Sequence, residues 1–214
     1  MVALEEGGRI KLHKDVIESL QALSEAAAKA GFSAWVVSGY RGYDHQMRIW
    51  NEKAQGKRPV HDETGNILAP PTTEAETEER FFYMLRWSAF PGLSRHHWGS
   101  DMDMVDKAAM PGGYQVQLTP DEVEAGGLFA PFHNWLDGNL KRFGFFRPYQ
   151  KDRGGVSPER WHLSYAPLSQ RCQKQFTDAI FQSLVGNPQV EFSVLAKKHS
   201  RILWDKYFQN IDFP

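Results

Sequence analysis

The sequence predicts an α+β fold in a single domain, and three observations lead there. Helix-like and strand-like segments are interleaved without the regular alternation that a parallel sheet requires. No internal repeat, low-complexity tract or clear linker divides the 214 residues. That length suffices for one large core, and seven Trp, seven Tyr and fourteen Phe supply bulky material for it.

The elements follow from local pattern. Residues 13–30 are the first expected helix, because Val16, Ile17, Leu20, Leu23 and Ala27 recur at helical spacing and Gly31 supplies a stop. Phe-Ser-Ala-Trp-Val-Val at 32–37 is short, aromatic and β-branched, which predicts a buried strand. Ser-Gly-Tyr-Arg-Gly then makes a turn into a helix over 43–54. Residues 56–71, rich in Gly, Pro and Asp, predict a surface loop. An acidic first turn opens the helix expected over 73–87. Thr119-Pro120-Asp121-Glu122 has the form of a capping box with proline at the first helical position. A helix over 131–142 ends at Gly144, residues 161–165 are strand-like, and helices over 169–185 and 192–207 close the chain.

Composition removes several classes of function. The formal net charge is −1, with 25 basic and 26 acidic residues, so no broad cationic surface awaits nucleic acid. Cys172 is the only cysteine, which excludes an intramolecular disulfide and a cysteine-rich zinc site. A metal would need His and carboxylate ligands. No apolar run is long enough to span a membrane, and residues 1–15 lack the basic-then-apolar layout of a leader. The expectation is a cytoplasmic protein, with a periplasmic or secreted one as the alternative if an export segment has been removed.

Two segments are rich in metal-binding side chains. The first is Ser94-Arg95-His96-His97-Trp98-Gly99-Ser100-Asp101-Met102-Asp103-Met104-Val105-Asp106. On an extended chain His96 and His97 point in opposite directions, while Asp101 and Asp103 share a face with Met102 and Met104 on the other. Gly99 permits a turn or close approach between the histidines and the acids. Four His/Asp combinations remain, and the residues alone do not choose among them. The second segment is Pro158-Glu159-Arg160-Trp161-His162, where a carboxylate and an imidazole stand three residues apart. A catalytic zinc keeps a position for water, and a neighbouring carboxylate can take that water's proton. Glu159 and His162 supply one base and one ligand for such a centre.

Ser94-x-His96-x-x-Gly99-x-x-x-Asp103 followed by Glu159-x-Trp161-His162 resembles the motif pair of VanY-type D-alanyl-D-alanine carboxypeptidases, zinc peptidases grouped with lysostaphin-type enzymes and the hedgehog domain. Ser38-Gly39-Tyr40-Arg41-Gly42-Tyr43-Asp44-His45-Gln46 resembles a third motif of that family, with Gly42 where a small hydroxyl residue is usual. The resemblance implies a small, mainly antiparallel sheet flanked by helices and one Zn²⁺ held by His96, Asp103 and His162. It implies Glu159 as catalytic base and Arg41 as the group that approaches the substrate carbonyl or carboxylate. Gln46, Ser94 and Trp161 fall at positions that line the substrate cleft. His97 and Asp101 then stand outside the ligand set, as supporting or packing residues, and Asp106 lies outside the site. The implied reaction is zinc-dependent hydrolysis of a peptidoglycan stem peptide or muropeptide, with removal of a terminal D-alanine as its type. An endopeptidase of the same fold is the alternative, and a non-catalytic zinc-containing binding module is the rival from another class.

Overall fold

Asp-Met-Asp-Met-Val-Asp is an unusual composition for a strand with no exposed residue, yet all six side chains are buried. In the computed structural model, which describes residues 1–4, 8–62 and 66–214, these residues form β4 (Asp101–Asp106), an inner strand of a four-stranded antiparallel sheet. Its neighbours are β3 (Ala34–Ser38) on one side and β6 (His162–Tyr165) on the other, with β5 (Phe145–Phe146) at the far edge. A separate two-stranded ladder joins β1 (Val2–Ala3) to β2 (Lys11–Leu12). Residues 63–65 of the loop expected over 56–71, and residues 5–7 near the N-terminus, lie outside the described residues.

Alternation explains how an acidic strand is buried. Met102 and Met104 turn to one face, where they join Val36 and Leu163 in a core closed by α1 (Ile17–Lys29) and α5 (Ala130–Asn139). Leu20, Leu23 and Ala27 of α1, and Phe132 and Leu136 of α5, complete that core. The opposite face carries Asp101 and Asp103, paired across the ladder with Ser164 and His162. On the other flank, the register shifts between Val36 and Ser38, and this irregularity places Ser38 opposite Asp103.

A second core lies beyond the sheet. Trp50 of α2 (Tyr43–Ala54) and Phe81, Met84 and Leu85 of α3 (Glu74–Trp87) pack with Phe181, Val185, Leu203 and Phe208 from the C-terminal elements. Between α3 and β5, the Thr119/Glu122 capping box is present on α4 (Pro120–Val123), a single turn.

The closing helices are more broken than their periodicity suggests. The stretch over 169–185 divides into α6 (Ala166–Gln175) and α7 (Asp178–Val185). Phe176 leaves the helix to place its ring 4.4 Å from that of Phe208, and the Thr177 side chain then caps α7 by accepting from the Ile180 amide. The stretch over 192–207 divides at His199 into α8 (Ser193–Lys198) and α9 (Ser200–Ile202), which runs on into a π-helical turn at Leu203–Phe208. At Phe176 tertiary packing overrides helix periodicity.

Gly39 sits where backbone space is too tight for a side chain. A Cβ there would lie 2.5 Å from the Lys11 carbonyl oxygen of β2. Strand β2 is held against this turn because the Tyr40 amide donates to the same Lys11 oxygen at 2.7 Å. Gly39→Ala is expected to cost about 1–3 kcal/mol through overpacking of an immobile backbone contact. Chemical denaturation of the variant against the parent chain measures it.

Candidate active site

Three segments far apart in the chain converge on the polar face of the sheet. Residues 95–98 form a 3-10 turn ended by Gly99 in the left-handed conformation (φ 68°), so the chain reverses from His96 into β4. The His96 Nδ1–H donates to the Gly39 carbonyl at 2.8 Å, which leaves Nε2 turned toward Asp103, 3.5 Å away. On β6, His162 presents Nδ1 to Asp103 at 3.7 Å and to Glu159 Oε2 at 3.2 Å. His96, Asp103 and His162 thus each offer one donor atom, all within 4.8 Å of one another, and all three residues are buried.

His97 turns the other way. Its Nδ1–H donates to the Arg41 carbonyl at 2.5 Å and its Nε2 accepts from the Gly92 amide at 3.1 Å. The Arg41 amide in turn donates to the His96 carbonyl. The Ser38–Arg41 turn is therefore docked on the 3-10 turn from both sides. Arg41 donates from Nη1 to Gln46 Oε1 at 2.9 Å and from Nη2 to Ser38 Oγ at 3.3 Å. Gln46 is buried and spends its amide nitrogen on the Ala89 carbonyl. Its contacts hold Arg41. Ser38 links Arg41 to the centre, because its hydroxyl also donates to Asp103.

Ser94 is buried immediately before the 3-10 turn. Trp161 is buried with Val105, Val123 and Phe129. Glu159 is the most open of the carboxylates near the donors, with 15 % of its side chain exposed against 5 % for Asp103. Asp106 lies away from the site, where its carboxylate accepts from the Ser33 and Ala108 amides.

Asp101, expected as a supporting or packing residue, and two groups that the sequence patterns pass over also matter here. Asp101 accepts from His162 Nε2 at 2.9 Å and from Arg95 at 2.8 Å. Tyr149 stacks its ring edge-on against His162 at 5.1 Å. The Gly39 carbonyl selects the free nitrogen of His96. Only a backbone trace reveals such a contact.

The electrostatics suit a cation. Burial, with Arg41 and His162 nearby, holds the His96 ring well below its ordinary pKa, so it is neutral with a free lone pair. Burial pushes the Asp103 carboxyl up to about 6, and the like charge of Glu159 adds to this against the opposing pull of His162 and Arg41. Burial alone would lower His162, but its bonds to Asp101 and Glu159 outweigh that and carry it up to about 10. In a metal-free chain at neutral pH the imidazolium therefore fills the cationic role. Two imidazoles and one carboxylate, with a further carboxylate adjacent, are a donor set that fits a zinc ion with an open position.

A mixed helix and antiparallel-sheet fold thus carries two imidazoles and one carboxylate in an arrangement that could hold one metal ion. The chain belongs to the VanY family of D-alanyl-D-alanine carboxypeptidases, which it matches over residues 9–168. It is 33% identical over 168 residues to a D-alanyl-D-alanine carboxypeptidase of Enterococcus faecalis, an alignment covering 77% of this chain and 51% of that protein. It is 39% identical over 89 residues, 41% of this chain and 68% of the other, to an uncharacterized protein of Haemophilus influenzae. The chain thus spans about half the length of its enterococcal relative. Among solved structures, the vancomycin-resistance D,D-pentapeptidase VanY of the VanB-type cassette in complex with Zn(II) matches with a TM-score of 0.53 and 28% identity, over 77% of this chain and 76% of that one. VanYB in complex with D-alanine-D-alanine matches with a TM-score of 0.53 and 27% identity, over 81% and 82%.

Two outcomes are expected of metal uptake. His96→Ala should abolish zinc binding, whereas His97→Ala should leave most of it, as read by equilibrium dialysis. Zinc binding must also displace the proton on His162 Nδ1. Between pH 9 and pH 7, below the His162 value of about 10 and above the Asp103 value of about 6, apparent affinity should fall about tenfold per pH unit. Below pH 6 protonation of Asp103 steepens the fall. Titration calorimetry in buffers of different ionisation enthalpy measures the released proton.

Proposed function

We propose that the chain is a zinc-dependent D,D-carboxypeptidase that removes the terminal D-alanine from peptidoglycan stem peptides or muropeptides. The observation that carries this reading is the position of Glu159: its Oε2 lies 3.2 Å from the ligand nitrogen of His162 while part of its side chain faces solvent. A purely structural zinc site closes with four ligands and has no use for a free carboxylate beside it. Membership of a family described as D-alanyl-D-alanine carboxypeptidase supplies the substrate class.

His96 Nε2, an Asp103 oxygen and His162 Nδ1 are the atoms that would hold the ion. When bound in such a set, zinc polarises a carbonyl and lowers the pKa of a coordinated water toward about 7. Glu159 is then placed to take a proton from the attacking water and to return it to the departing amine. Arg41 brings a permanent charge and a planar fork to the same wall, fixed by Gln46 and Ser38, and is suited to the developing oxyanion or to the substrate carboxylate. In this reading Ser94 borders the bound peptide, while Gln46 acts by holding Arg41 in place.

Glu159→Gln should lower hydrolysis of a pentapeptide muropeptide about 10²–10⁴-fold while zinc stays bound. Mass spectrometry of the products separates the readings. Free D-alanine is the expected product, two peptide fragments indicate an endopeptidase, and undiminished turnover by the variant removes Glu159 from the mechanism.

A further inference from the structure

The proposed reaction makes no use of a buried carboxylate that accepts four hydrogen bonds beside the triad. Asp101 is fully buried. Its Oδ2 accepts from Arg95 Nε at 2.8 Å and from His162 Nε2 at 2.9 Å, and its Oδ1 accepts from Ser100 Oγ at 2.5 Å and Ser164 Oγ at 3.0 Å. It stands two residues before Asp103 on the same face of β4, but it meets the ring of His162 on the side away from the triad. That makes it a partner of the ligand and not a ligand.

Arg95, also buried, ties this carboxylate into the rest of the fold. Its Nη2 donates to Ser164 Oγ at 2.8 Å and its Nη1 to Gln173 Oε1 at 2.8 Å, and its guanidinium lies 4.8 Å from the Trp98 ring centroid. Gln173 on α6 reaches the Phe208 carbonyl at 3.4 Å and the Gln209 side chain at 3.3 Å. An unbroken set of polar contacts therefore runs from His162 to the C-terminal segment, which lies beyond the family-matched residues 9–168.

Burying an ion pair is a poor way to gain stability, because desolvation consumes most of the Coulombic attraction. The arrangement does give His162 a defined tautomer. With a carboxylate held against Nε2, that nitrogen keeps its proton and Nδ1 is left as the donor. His96 is treated in the mirrored sense, because the Gly39 carbonyl keeps the proton on Nδ1 and frees Nε2. An anionic partner also makes the imidazole a stronger donor than a neutral carbonyl would.

We propose that Asp101, braced by Arg95 and through it by Gln173, is the positioning residue of the metal centre, fixing His162 so that Nδ1 is its metal-binding nitrogen and strengthening that bond. The inference rests on the zinc reading of the His96/Asp103/His162 triad and concerns affinity, which is measured apart from hydrolysis. Asp101→Ala should raise the zinc dissociation constant about 10–100-fold in chelator competition. Asp101→Asn, which keeps an acceptor oxygen but loses the charge, should fall between that variant and the parent.

Asp101→Ala also strands the Arg95 charge, so a general loss of stability has to be separated from a loss of positioning. The double variant Arg95→Met with Asp101→Leu removes both charges and refills the space. Its metal-free melting temperature should exceed that of Asp101→Ala while its zinc affinity stays as weak. In ¹⁵N-histidine spectra of the zinc-loaded parent, His162 should show a proton on Nε2, and that signal should shift or vanish in the double variant. The proposal is overturned if Asp101→Ala binds zinc within twofold of the parent, or if the double variant regains parental affinity. A parent chain that takes up no zinc overturns the metal reading and this inference together.

Discussion

Everything at the site depends on the antiparallel register of β4 against β6, which sets Asp103 directly across from His162. Side chains on paired strands alternate between faces, so a slip of one residue would turn Asp103 into the apolar core and bring a methionine toward the histidine. The register is held from both sides. Met102, Met104 and Leu163 have nowhere else to be buried, and on the polar face Ser164 and His162 bond to Asp101 across the same ladder. The hydrophobic effect and the polar contacts specify one pairing between them. Strand β3 adds the third member, because its irregularity brings Ser38 opposite Asp103 and starts the turn that carries Arg41.

Around that register the charges are arranged so that none is buried alone. His162 lies among Asp101, Asp103 and Glu159, and Asp101 lies between His162 and Arg95. Asp103 is the less settled acid: burial raises its pKa, and the like charge of Glu159 adds to this. His96 is the opposite case, since burial beside Arg41 and His162 keeps it neutral. A divalent cation relieves both conditions, because it favours the ionised acid and needs an unprotonated imidazole. On the proposed zinc reading, the pH dependence of uptake would be a property of the whole constellation, with His162 as its principal proton source.

Much of this was legible from residue patterns. The helix over 43–54, the acidic first turn of α3 and the capping box at Thr119 coincide with their local signals, because those signals are satisfied by contacts within a few residues. The alternation in Asp-Met-Asp-Met correctly divides the strand into two faces. His96 and His97 could not be told apart by alternation, since they lie on a 3-10 turn and diverge for a different reason: each ring is captured by its own carbonyl, Gly39 for one and Arg41 for the other. The family resemblance supplied the choice that the spacing left open. The breaks at Phe176 and His199 were hidden because apolar periodicity continues across them, and at Phe176 the packing onto Phe208 is a contact between remote residues that local pattern does not carry. Strands of two residues, such as β1, β2 and β5, are too short to carry any alternation.

The distance along the chain between the pieces of the site has a kinetic meaning. Gly39 meets His96 across 57 residues and Asp101 meets His162 across 61, so no local fragment can assemble the donors. Loop closure on that scale comes late and slows folding relative to helical proteins of similar size. The donor set thus exists only in chains whose sheet has fully closed, and a cation that it captures discriminates sharply between finished and unfinished molecules. By mass action, an ion present at 1,000 times its dissociation constant would favour the closed sheet by about 4 kcal/mol. For a fold assembled from such remote partners, the metal would act as a latch on the last step of folding as well as a participant in chemistry.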